Sequence, residues 1–426
     1  FSVMLKKTQE FQGIVLVGGY GTRMPELTDD VPKPLLPVAN VPMFWYALDI
    51  LRKNNIMDVL MLTNERCHSR INQLLSDGSL PPLPSEMKIE LVNTRAHGHD
   101  WGTIQALVQV QDRIKNDFIV VSGDIVSDLK LDYMLEQHRA EDATMTVLLS
   151  ENTLSGPVPG PVNDSGKYRD FTIIPADQDP PKLLYLIPEE DFEDEPPNSE
   201  LFLNNRNVRL SSRFENCNIM IMKRGLLNVM RSLDESFTSV NCDFIPYLLK
   251  LQNSRPDTTV NNLIFGNLSK KPTDESDEEE PIKDDRNIRC YAYYAKIPAC
   301  TFIAHCNTIG PYFAANKTVI ASAKQFFTDD MIEYLLIGKR DHGIDNKSVV
   351  HMSAEVGQNT RITGSVIMRQ CKIGAAAKIH NSIILEGAVI GPKCVISNSI
   401  VGAREVVPEG ERVTNSVQRT LKNFEV

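Results

Sequence analysis

The residues that decide the fold of the first half of the chain read GIVLVGGYGTRMPELT, residues 13–28, followed by PKPLLPV, residues 32–38. The apolar run 14–17 is typical of a strand buried on both faces of a sheet. Gly18 and Gly19 follow at once and have no Cβ, so backbone N–H groups at this turn can approach phosphate oxygens closely. Arg23 offers a planar fork and Lys33 a point charge for the same anion. The stretch therefore predicts a strand that leads into a phosphate-binding loop.

Two common phosphate motifs do not fit this loop. The chain contains no GxxxxGK[ST], and Met24 stands where the dinucleotide-binding fingerprint has its third glycine. Taken alone, a glycine-rich turn after a strand is as compatible with a structural turn as with a ligand site.

Short apolar runs alternate with helical periodicity through the first 300 residues. Pro42 opens a helix with Phe44, Ala47, Leu48 and Leu51 on one face, and a second helix is predicted from about 102 to 115. Further strands are predicted at 59–62, 89–92, 118–121, 145–149, 217–222 and 290–295. Strands that alternate with helices indicate a mainly parallel sheet with helices on its faces.

The C-terminal part carries a 17-residue repeat. Residues 362–367 read ITGSVI, 379–384 read IHNSII, 396–401 read ISNSIV and 413–417 read VTNSV. Within each period the apolar positions recur at steps of five and six, which indicates three short strands per coil of a solenoid. The repeated serines and the asparagines beside them are predicted to form ladders on one corner: Ser365, Ser382, Ser399 and Ser416 with Asn381, Asn398 and Asn415.

Composition limits the classes of function. The net charge of −10 and the lack of a basic patch argue against nucleic-acid binding. The eight cysteines form no CxxC pair, so we expect free thiols rather than a zinc site or disulfides. No apolar run has membrane-spanning length and no signal-peptide pattern is visible, so we expect the cytosol. Acidic tracts near 186–200 and 270–286 are interpreted as solvated loops, with an acidic docking surface as the alternative.

The loop in its full length resembles the GGxGTRLxPLT and PKPLLPV signature of the sugar-phosphate nucleotidyltransferases. The resemblance continues at Gly102-Thr103, similar to the family's base-contacting GTA, and at Ser122-Gly123-Asp124, similar to its metal-binding Asp after a strand. It implies an α/β Rossmann-like nucleotidyltransferase-type domain at 1–325, a linker at 326–346 and a short left-handed parallel β-helix, a hexapeptide-repeat solenoid, at 347–426. The vestigial nucleotide or phosphate contacts it implies are Gly18, Gly19, Gly21, Thr22, Arg23, Lys33, Gly102, Thr103 and Asp124.

Departures from the family pattern decide the expected activity. The family holds Mg²⁺ with two aspartates, the second in a W-x-D-[IV]-G segment before the β-helix, whereas the stretch 293–302, interpreted as the corresponding region, has no acidic residue and one lysine, Lys296. The sugar-binding EKP segment is replaced by PKLLYL, residues 181–186, and the N-A-G strand reads Asn216-Cys217-Asn218. We therefore expect no catalytic residue, no metal and no required cofactor. A weakly bound nucleotide stays open.

Several stretches resemble the branch of this family that supplies subunits to translation initiation factor 2B, a guanine-nucleotide exchange factor. They are CDFIPYL at 242–248, the acidic insert after it and RCYA at 289–292. The epsilon subunit of that factor has an additional C-terminal helical domain that performs exchange, and this chain ends at Val426 after the fourth repeat, which favours the subunit without it. The implied partners are epsilon, the alpha, beta and delta subunits in a decamer, and initiation factor 2, with no direct contact to nucleic acid or membrane.

Two other functions stay open at this stage. An active sugar-1-phosphate nucleotidyltransferase, such as a GDP-mannose pyrophosphorylase, is favoured by the intact GGYGTR and PKPLLPV stretches. A sensor that binds a nucleotide or sugar nucleotide without turnover is the intermediate interpretation. His97, His99 and Asp100 lack a further ligand at metal-site spacing, so no metal is predicted there. Trp45 and Tyr46 are predicted to be core or interface residues.

Overall fold

The structure is a computed structural model that describes residues 9–19, 21–94, 102–151, 158–160, 169–266, 286–295, 300–335 and 343–419. The α-helices are α1 Pro25–Thr28, α2 Met43–Lys53, α3 Glu65–Ser76, α4 Thr103–Gln109, α5 Asp132–Ala140, α6 Ser199–Asn204, α7 Leu226–Ser232, α8 Ile245–Asn253, α9 Thr258–Phe265, α10 Ile309–Ala321, α11 Ala323–Phe326 and α12 Asp329–Leu335. The strands before the repeats are β1 Phe11–Val17, β2 Pro37–Val38, β3 Val41–Pro42, β4 Asp58–Thr63, β5 Lys88–Asn93, β6 Asp117–Ser122, β7 Ile125–Ser127, β8 Met145–Glu151, β9 Asp170–Pro175, β10 Tyr185–Pro188, β11 Val208–Ser211, β12 Phe214–Met222, β13 Cys290–Tyr294 and β14 Ile303–His305. The strands of the repeats are β15 Val349–Val350, β16 Glu355–Val356, β17 Arg361–Thr363, β18 Val366–Ile367, β19 Lys372–Ile373, β20 Lys378–His380, β21 Ile383–Ile384, β22 Val389–Ile390, β23 Val395–Ser397, β24 Ile400–Val401, β25 Val406–Val407, β26 Arg412–Thr414 and β27 Val417–Gln418.

A seven-stranded sheet forms the centre of the first part, in the order β13-β8-β12-β6-β1-β4-β5. Its strands pair in parallel except for β12, which runs antiparallel to both β6 and β8. Helices cover both faces of the sheet. Alternate residues of β1 lie on opposite faces, so Ile14 belongs to one apolar cluster and Val15 to the other. The predicted mainly parallel α/β sheet is confirmed.

The predicted elements agree with the structure except at one helix. The helix expected over 102–115 ends at Gln109, and a 3-10 helix covers Gln111–Arg113. Val110 lies at φ −102° and ψ 9°, outside the α-helical region. Its N–H bonds to Leu107, three residues back, so the α-helical pattern is lost there.

The repeats form a solenoid with three parallel sheets, one for each side of the coil. Successive strands pair at a displacement of 17 residues, for example Ile362 with Ile379 and Ile379 with Ile396. These isoleucines are buried, and each contributes about 1.5–3 kcal/mol. The arrangement is consistent with the expected left-handed β-helix.

Both predicted ladders are present on one corner of the solenoid. The Ser382 N–H donates to Ser365 Oγ at 3.1 Å, and the Ser399 N–H donates to Ser382 Oγ at 3.2 Å. The Asn398 amide accepts from Asn381 at 3.0 Å and donates to Asn415 at 2.7 Å. Because each bond joins equivalent positions in neighbouring coils, the ladders fix the register of the stack.

One apolar cluster joins the sheet-containing part to the solenoid. Helix α10 contributes Tyr312, helix α2 contributes Trp45 and Tyr46, and the solenoid contributes residues such as Ile384. The Trp45 indole donates to Pro81 O at 3.0 Å and the Tyr46 hydroxyl donates to Val38 O at 2.8 Å, so the predicted core role of both residues is confirmed. The segment 326–346, predicted as a linker, contains α12.

The remaining global features bear on the expected class of protein. All eight cysteines are free, and only Cys242 is exposed. No helix among the described residues is long and apolar enough to cross a membrane. The acidic residues at 189–191 form an exposed 3-10 helix, whereas the tract 274–280 lies outside the described residues.

Candidate functional site

A cleft of about 850 Å³ lies at the carboxyl ends of the central strands, where ligands bind in open α/β sheets. Gly18 follows β1, Asn64 follows β4, and Asp124 lies just after β6. We call this cavity the nucleotidyltransferase cleft. Of the predicted site residues, it is lined by Gly18, Gly19, Arg23, Gly102, Thr103 and Asp124.

The glycine-rich loop leaves open space on the cleft side. A Cβ on Gly19 would meet no atom within 4 Å, and one on Gly18 would only touch the Asn64 backbone at 3.9 Å. Asn64 fixes the loop, since its amide donates to Gly18 O at 2.8 Å. Because no neighbour among the described residues requires either glycine, the open space fits a loop that admits a ligand close to the backbone.

The other predicted site residues of this loop are Gly21, Thr22 and Arg23. Gly21 has φ +75°, and its carbonyl accepts from Thr28 Oγ1 at 2.8 Å. Thr22 is exposed and does not line the cleft, whereas Arg23 does. The prediction that these residues contact phosphate stays a prediction.

Gly102 and Thr103 start helix α4 at the opposite wall of the cleft. A Cβ on Gly102 would lie 2.0 Å from Thr238 O, so this position requires glycine for close packing. The Thr103 hydroxyl accepts from the Val240 N–H at 2.8 Å. Both residues thus fix the loop 238–240 as well as lining the cleft.

Lys33 does not line the cleft; it makes an ion pair with Asp124 below the cleft floor. Its ammonium also donates to Asn307 Oδ1 at 2.7 Å, and Ser122 Oγ donates to Asp124 Oδ1 at 2.5 Å. Burial would raise the pKa of the Asp124 carboxyl, but the charges of Lys33 and His305 hold the pKa well below its usual value. Asp124 is therefore an ionised carboxylate whose charge is already compensated by a lysine.

The residue that faces Asp124 from the other side is His305, with its Nε2 3.3 Å from Asp124 Oδ2. It lies at the end of β14, which pairs antiparallel with β7 and so brings His305 beside Asp124. The stretch 293–302, interpreted from the sequence as the region of the second metal ligand, ends before His305, and its assignment stays a prediction. Strand β13, where that stretch begins, pairs with β8 at the edge of the central sheet.

The donor set does not fit the Mg²⁺ that the family resemblance implies. Mg²⁺ prefers oxygen ligands, usually from one or two carboxylates and substrate phosphates. Here Asp124 is the carboxylate at the cleft floor, and its neighbours are an ammonium and an imidazole. Among the described residues, no group of three or more His, Cys, Asp or Glu side chains could hold a metal ion. His97, His99 and Asp100 lie outside the described residues.

Three asparagines, Asn216, Asn218 and Asn241, form one wall of the cleft. The Asn218 amide and His305 Nε2 are 3.0 Å apart, and Asn241 donates to Asn218 Oδ1. Asn216 donates to Asn241 Oδ1 at 3.1 Å. A continuous polar network thus runs from His305 to Asn216. Asn218 has φ +52° at the irregularity in the pairing of β12, a conformation that asparagine tolerates.

Asp170, at the start of β9, is a cleft residue that the sequence analysis missed. Its side chain is 3% exposed and accepts a hydrogen bond from the Asn216 N–H. Burial raises the pKa of Asp170 to about 6, although the Asn216 hydrogen bond and the Arg23 charge oppose the shift. Four cleft residues lie outside any recognised sequence motif, so only the fold brings them to the cleft: Asp170, Asn241, His305 and Asn307.

Comparison with known proteins places this geometry in a family. A nucleotidyl transferase family model matches residues 12–155, and a GMPPB C-terminal domain model matches residues 344–420. The chain is 30% identical over 366 residues to translation initiation factor eIF2B subunit gamma of Caenorhabditis elegans, which covers 84% of this chain and 80% of that protein. The chain belongs to the eIF2B gamma subunit family.

Other relatives agree with both parts of this description. The eIF2B gamma subunit of Schizosaccharomyces pombe is 26% identical over 60% of this chain and 54% of its own length. A mannose-1-phosphate guanylyltransferase of Mycobacterium tuberculosis is 29% identical over 47% of this chain and 50% of its own. Membership of the eIF2B gamma family supports a role as a translation initiation factor, built on a nucleotidyltransferase domain.

Proposed function

We propose that this chain is a non-catalytic subunit of the translation initiation factor 2B complex. It supports GDP/GTP exchange on initiation factor 2 by binding the epsilon subunit and the GTPase factor. The observation that carries the proposal is the buried Lys33–Asp124 ion pair with His305 on the far side of the carboxylate.

The ion pair bears on chemistry because nucleotidyl transfer brings two anions together and needs a cation between them. A cation held at Asp124 would have to compete with the Lys33 ammonium and would lie beside His305. Displacing Lys33 would leave a buried ammonium without its partner, which is costly. The site can therefore hold a phosphate group at its open glycine loop without the means to activate it, and a weakly bound nucleotide is compatible with this role.

The family relationship supports the partners. The proposed assembly contains the epsilon subunit and the alpha, beta and delta subunits in a cytosolic decamer, with initiation factor 2 as the client. No direct contact with nucleic acid or membrane is proposed. The outer faces of the solenoid are the proposed partner surface, because the flat sides of the coil are available for contact.

Coexpression with an epsilon-type subunit tests this proposal. We expect a stable complex whose native mass exceeds that of either chain, and no nucleotide exchange on initiation factor 2 by this chain alone. Addition of the chain to epsilon should increase the exchange rate. A chain that stays monomeric beside epsilon, or that exchanges nucleotide without it, would contradict the proposal.

An active sugar-1-phosphate nucleotidyltransferase, similar to a GDP-mannose pyrophosphorylase, is the second candidate. It is favoured by the open space at Gly18 and Gly19 and by the guanylyltransferase relative. A third candidate binds a nucleotide or sugar nucleotide without turnover. Calorimetric titration with GTP and GDP-mannose tests binding, and the absence of heat at millimolar ligand would dismiss this third candidate.

A further inference from the structure

A second cavity, of about 770 Å³, lies where the sheet-containing part meets the solenoid. We call it the junction cleft. One wall consists of α3 and the segment 30–42, and the other consists of solenoid residues at 368–369, 385–386 and 403–406. It shares no lining residue with the nucleotidyltransferase cleft. Its volume lies within the range of about 300–1,000 Å³ that is typical of small-molecule sites.

The junction cleft is positively charged although the chain as a whole carries −10. Five arginines line it against three carboxylates, Asp30, Glu386 and Glu405. The arginines are Arg66, Arg70, Arg369, Arg404 and Arg419. A surplus of guanidinium groups in a concave site favours an anionic ligand.

Two of these arginines hold the walls in place. Arg419, from the solenoid, makes ion pairs with Asp29 at 3.2 Å and Asp30 at 3.1 Å. Arg66 donates to Thr28 O at 3.0 Å. Because N–H donors of Arg419 and Arg66 are bonded to protein acceptors, we expect a ligand to bind the other arginines first.

The other three arginines keep donors for a ligand. Arg70 donates to Gln73 of its own helix at 2.8 Å, and Arg369 reaches Asn40 O across the junction at 3.5 Å. The Arg404 backbone N–H donates to Glu386 O at 3.0 Å, but its guanidinium makes no hydrogen bond or ion pair with any residue that the structure describes. Since a guanidinium carries five N–H donors, most donors of these residues have no acceptor among the residues that the structure describes.

Arg70 and Arg369 line the junction cleft from opposite walls. Hydrogen bonds from Ser79 lower the pKa of the Asp77 carboxyl, and the charges of Arg70 and Arg369 lower it further. Both cations therefore lie within electrostatic reach of one carboxylate. Two guanidinium forks on facing walls of one cleft suit a tetrahedral phosphate.

Apolar side chains lie beside the arginines. Leu74 and Leu80 come from the α3 side, and Val406, which is 59% exposed, comes from the solenoid. We propose that the junction cleft binds a small organic phosphate ester, with the phosphate on Arg70, Arg369 and Arg404 and the apolar part on these three side chains. Its walls belong to both parts of the molecule, so the ligand stabilises their junction. The volume of the cleft, which lies within the range typical of small-molecule sites, favours a compact ester over an extended acidic peptide.

Calorimetric titration of the full chain with phenyl phosphate tests this proposal at fixed ionic strength. We expect a saturable site that binds phenyl phosphate more tightly than inorganic phosphate and that the Arg23→Gln variant retains. Arg404→Gln and Arg70→Gln should each weaken binding about tenfold, the loss expected when a charge-assisted hydrogen bond is removed. Arg412→Gln, on an exposed solenoid strand, is the matched control and should leave the affinity unchanged. Arg23→Gln reports any binding of phenyl phosphate in the nucleotidyltransferase cleft.

Four results would overturn the proposal. The first is the absence of saturable binding, and the second is an equal loss of affinity in Arg412→Gln, which indicates non-specific charge attraction. The third is a loss of affinity in Arg23→Gln alone, which places the ligand in the other cleft. The fourth is binding of a hexaglutamate peptide but not of phenyl phosphate. Retained melting temperatures of the variants establish that any loss is local. Because these residues are separate from Asp124 and Lys33, the outcome does not depend on the proposed subunit function.

Discussion

At the scale of single residues, Lys33 and Asp124 form a pair that is almost completely buried: Lys33 is 5% exposed and Asp124 is 8% exposed. Lys33→Met would leave a buried carboxylate without its main cation. We expect the free energy of unfolding to fall by about 3 kcal/mol, as measured by urea denaturation. Combining Lys33→Met with Asp124→Asn should recover part of the loss.

The matched control is Lys393→Met, which removes an exposed ion pair with Glu409. An exposed pair contributes little, so this variant should unfold like the wild type. Equal effects of Lys33→Met and Lys393→Met would show that the buried pair does not stabilise the cleft floor.

Asp170 gives a prediction about pH. Its pKa rises from 3.8 to about 6 on folding through burial, so the folded state takes up a proton between these values and this group's contribution to stability falls as pH rises through the window. Asp170→Asn removes this cost and can still accept from the Asn216 N–H. We expect the variant to be more stable than the wild type by about 2 kcal/mol at pH 8, with little difference at pH 4.

The comparison must be made between variant and wild type at each pH. Burial lowers the pKa of His138 to about 4, so wild-type stability gains from this group as pH rises from 4 to 6.5, the opposite sense. Asp177→Asn, at an exposed position, is the control for the change of charge alone. A pH-independent effect of Asp170→Asn would contradict the assignment.

The sequence predicted only part of the residue-level site. The sequence predicted Gly18, Gly19 and Arg23 as site residues because they follow a buried strand in one continuous motif. His305 was not, because it reaches Asp124 through the pairing of β14 with β7, two short strands far apart in sequence. The pairing of Lys33 with Asp124 across 91 positions also depends on the assembled fold.

At the scale of elements, the start of helix α4 depends on close packing. Gly102→Ala would place a Cβ 2.0 Å from Thr238 O, so the helix or the loop 238–240 must move. We expect a loss of about 2–3 kcal/mol in the free energy of unfolding. Gly19→Ala is the matched control, since nothing lies within 4 Å of its Cβ position. Similar melting temperatures for the two variants would contradict this account.

Elements were predictable where the sequence repeats or alternates regularly. The solenoid strands follow a 17-residue period, so the positions of buried isoleucines such as Ile379 could be read directly. The end of α4 was not predictable, because Val108 and Val110 continue the apolar pattern beyond Gln109 while the backbone leaves the helix. The antiparallel direction of β12 also has no local signal.

At the scale of the whole molecule, the apolar cluster shared by α2, α10 and the solenoid couples the two parts. Unfolding either part would expose the apolar surface of the other, so we expect a single cooperative transition. Scanning calorimetry should give a ratio of calorimetric to van 't Hoff enthalpy of about one. Two separate transitions would show that the parts fold independently.

The central claim is that the nucleotidyltransferase cleft of this eIF2B gamma family member can hold phosphate but cannot transfer a nucleotidyl group. Its most direct test is pyrophosphate release from GTP, mannose 1-phosphate and Mg²⁺, measured for the purified chain beside Asp124→Asn. We predict that the wild type releases no more pyrophosphate than the variant. Clear turnover in the wild type that Asp124→Asn abolishes would contradict the claim.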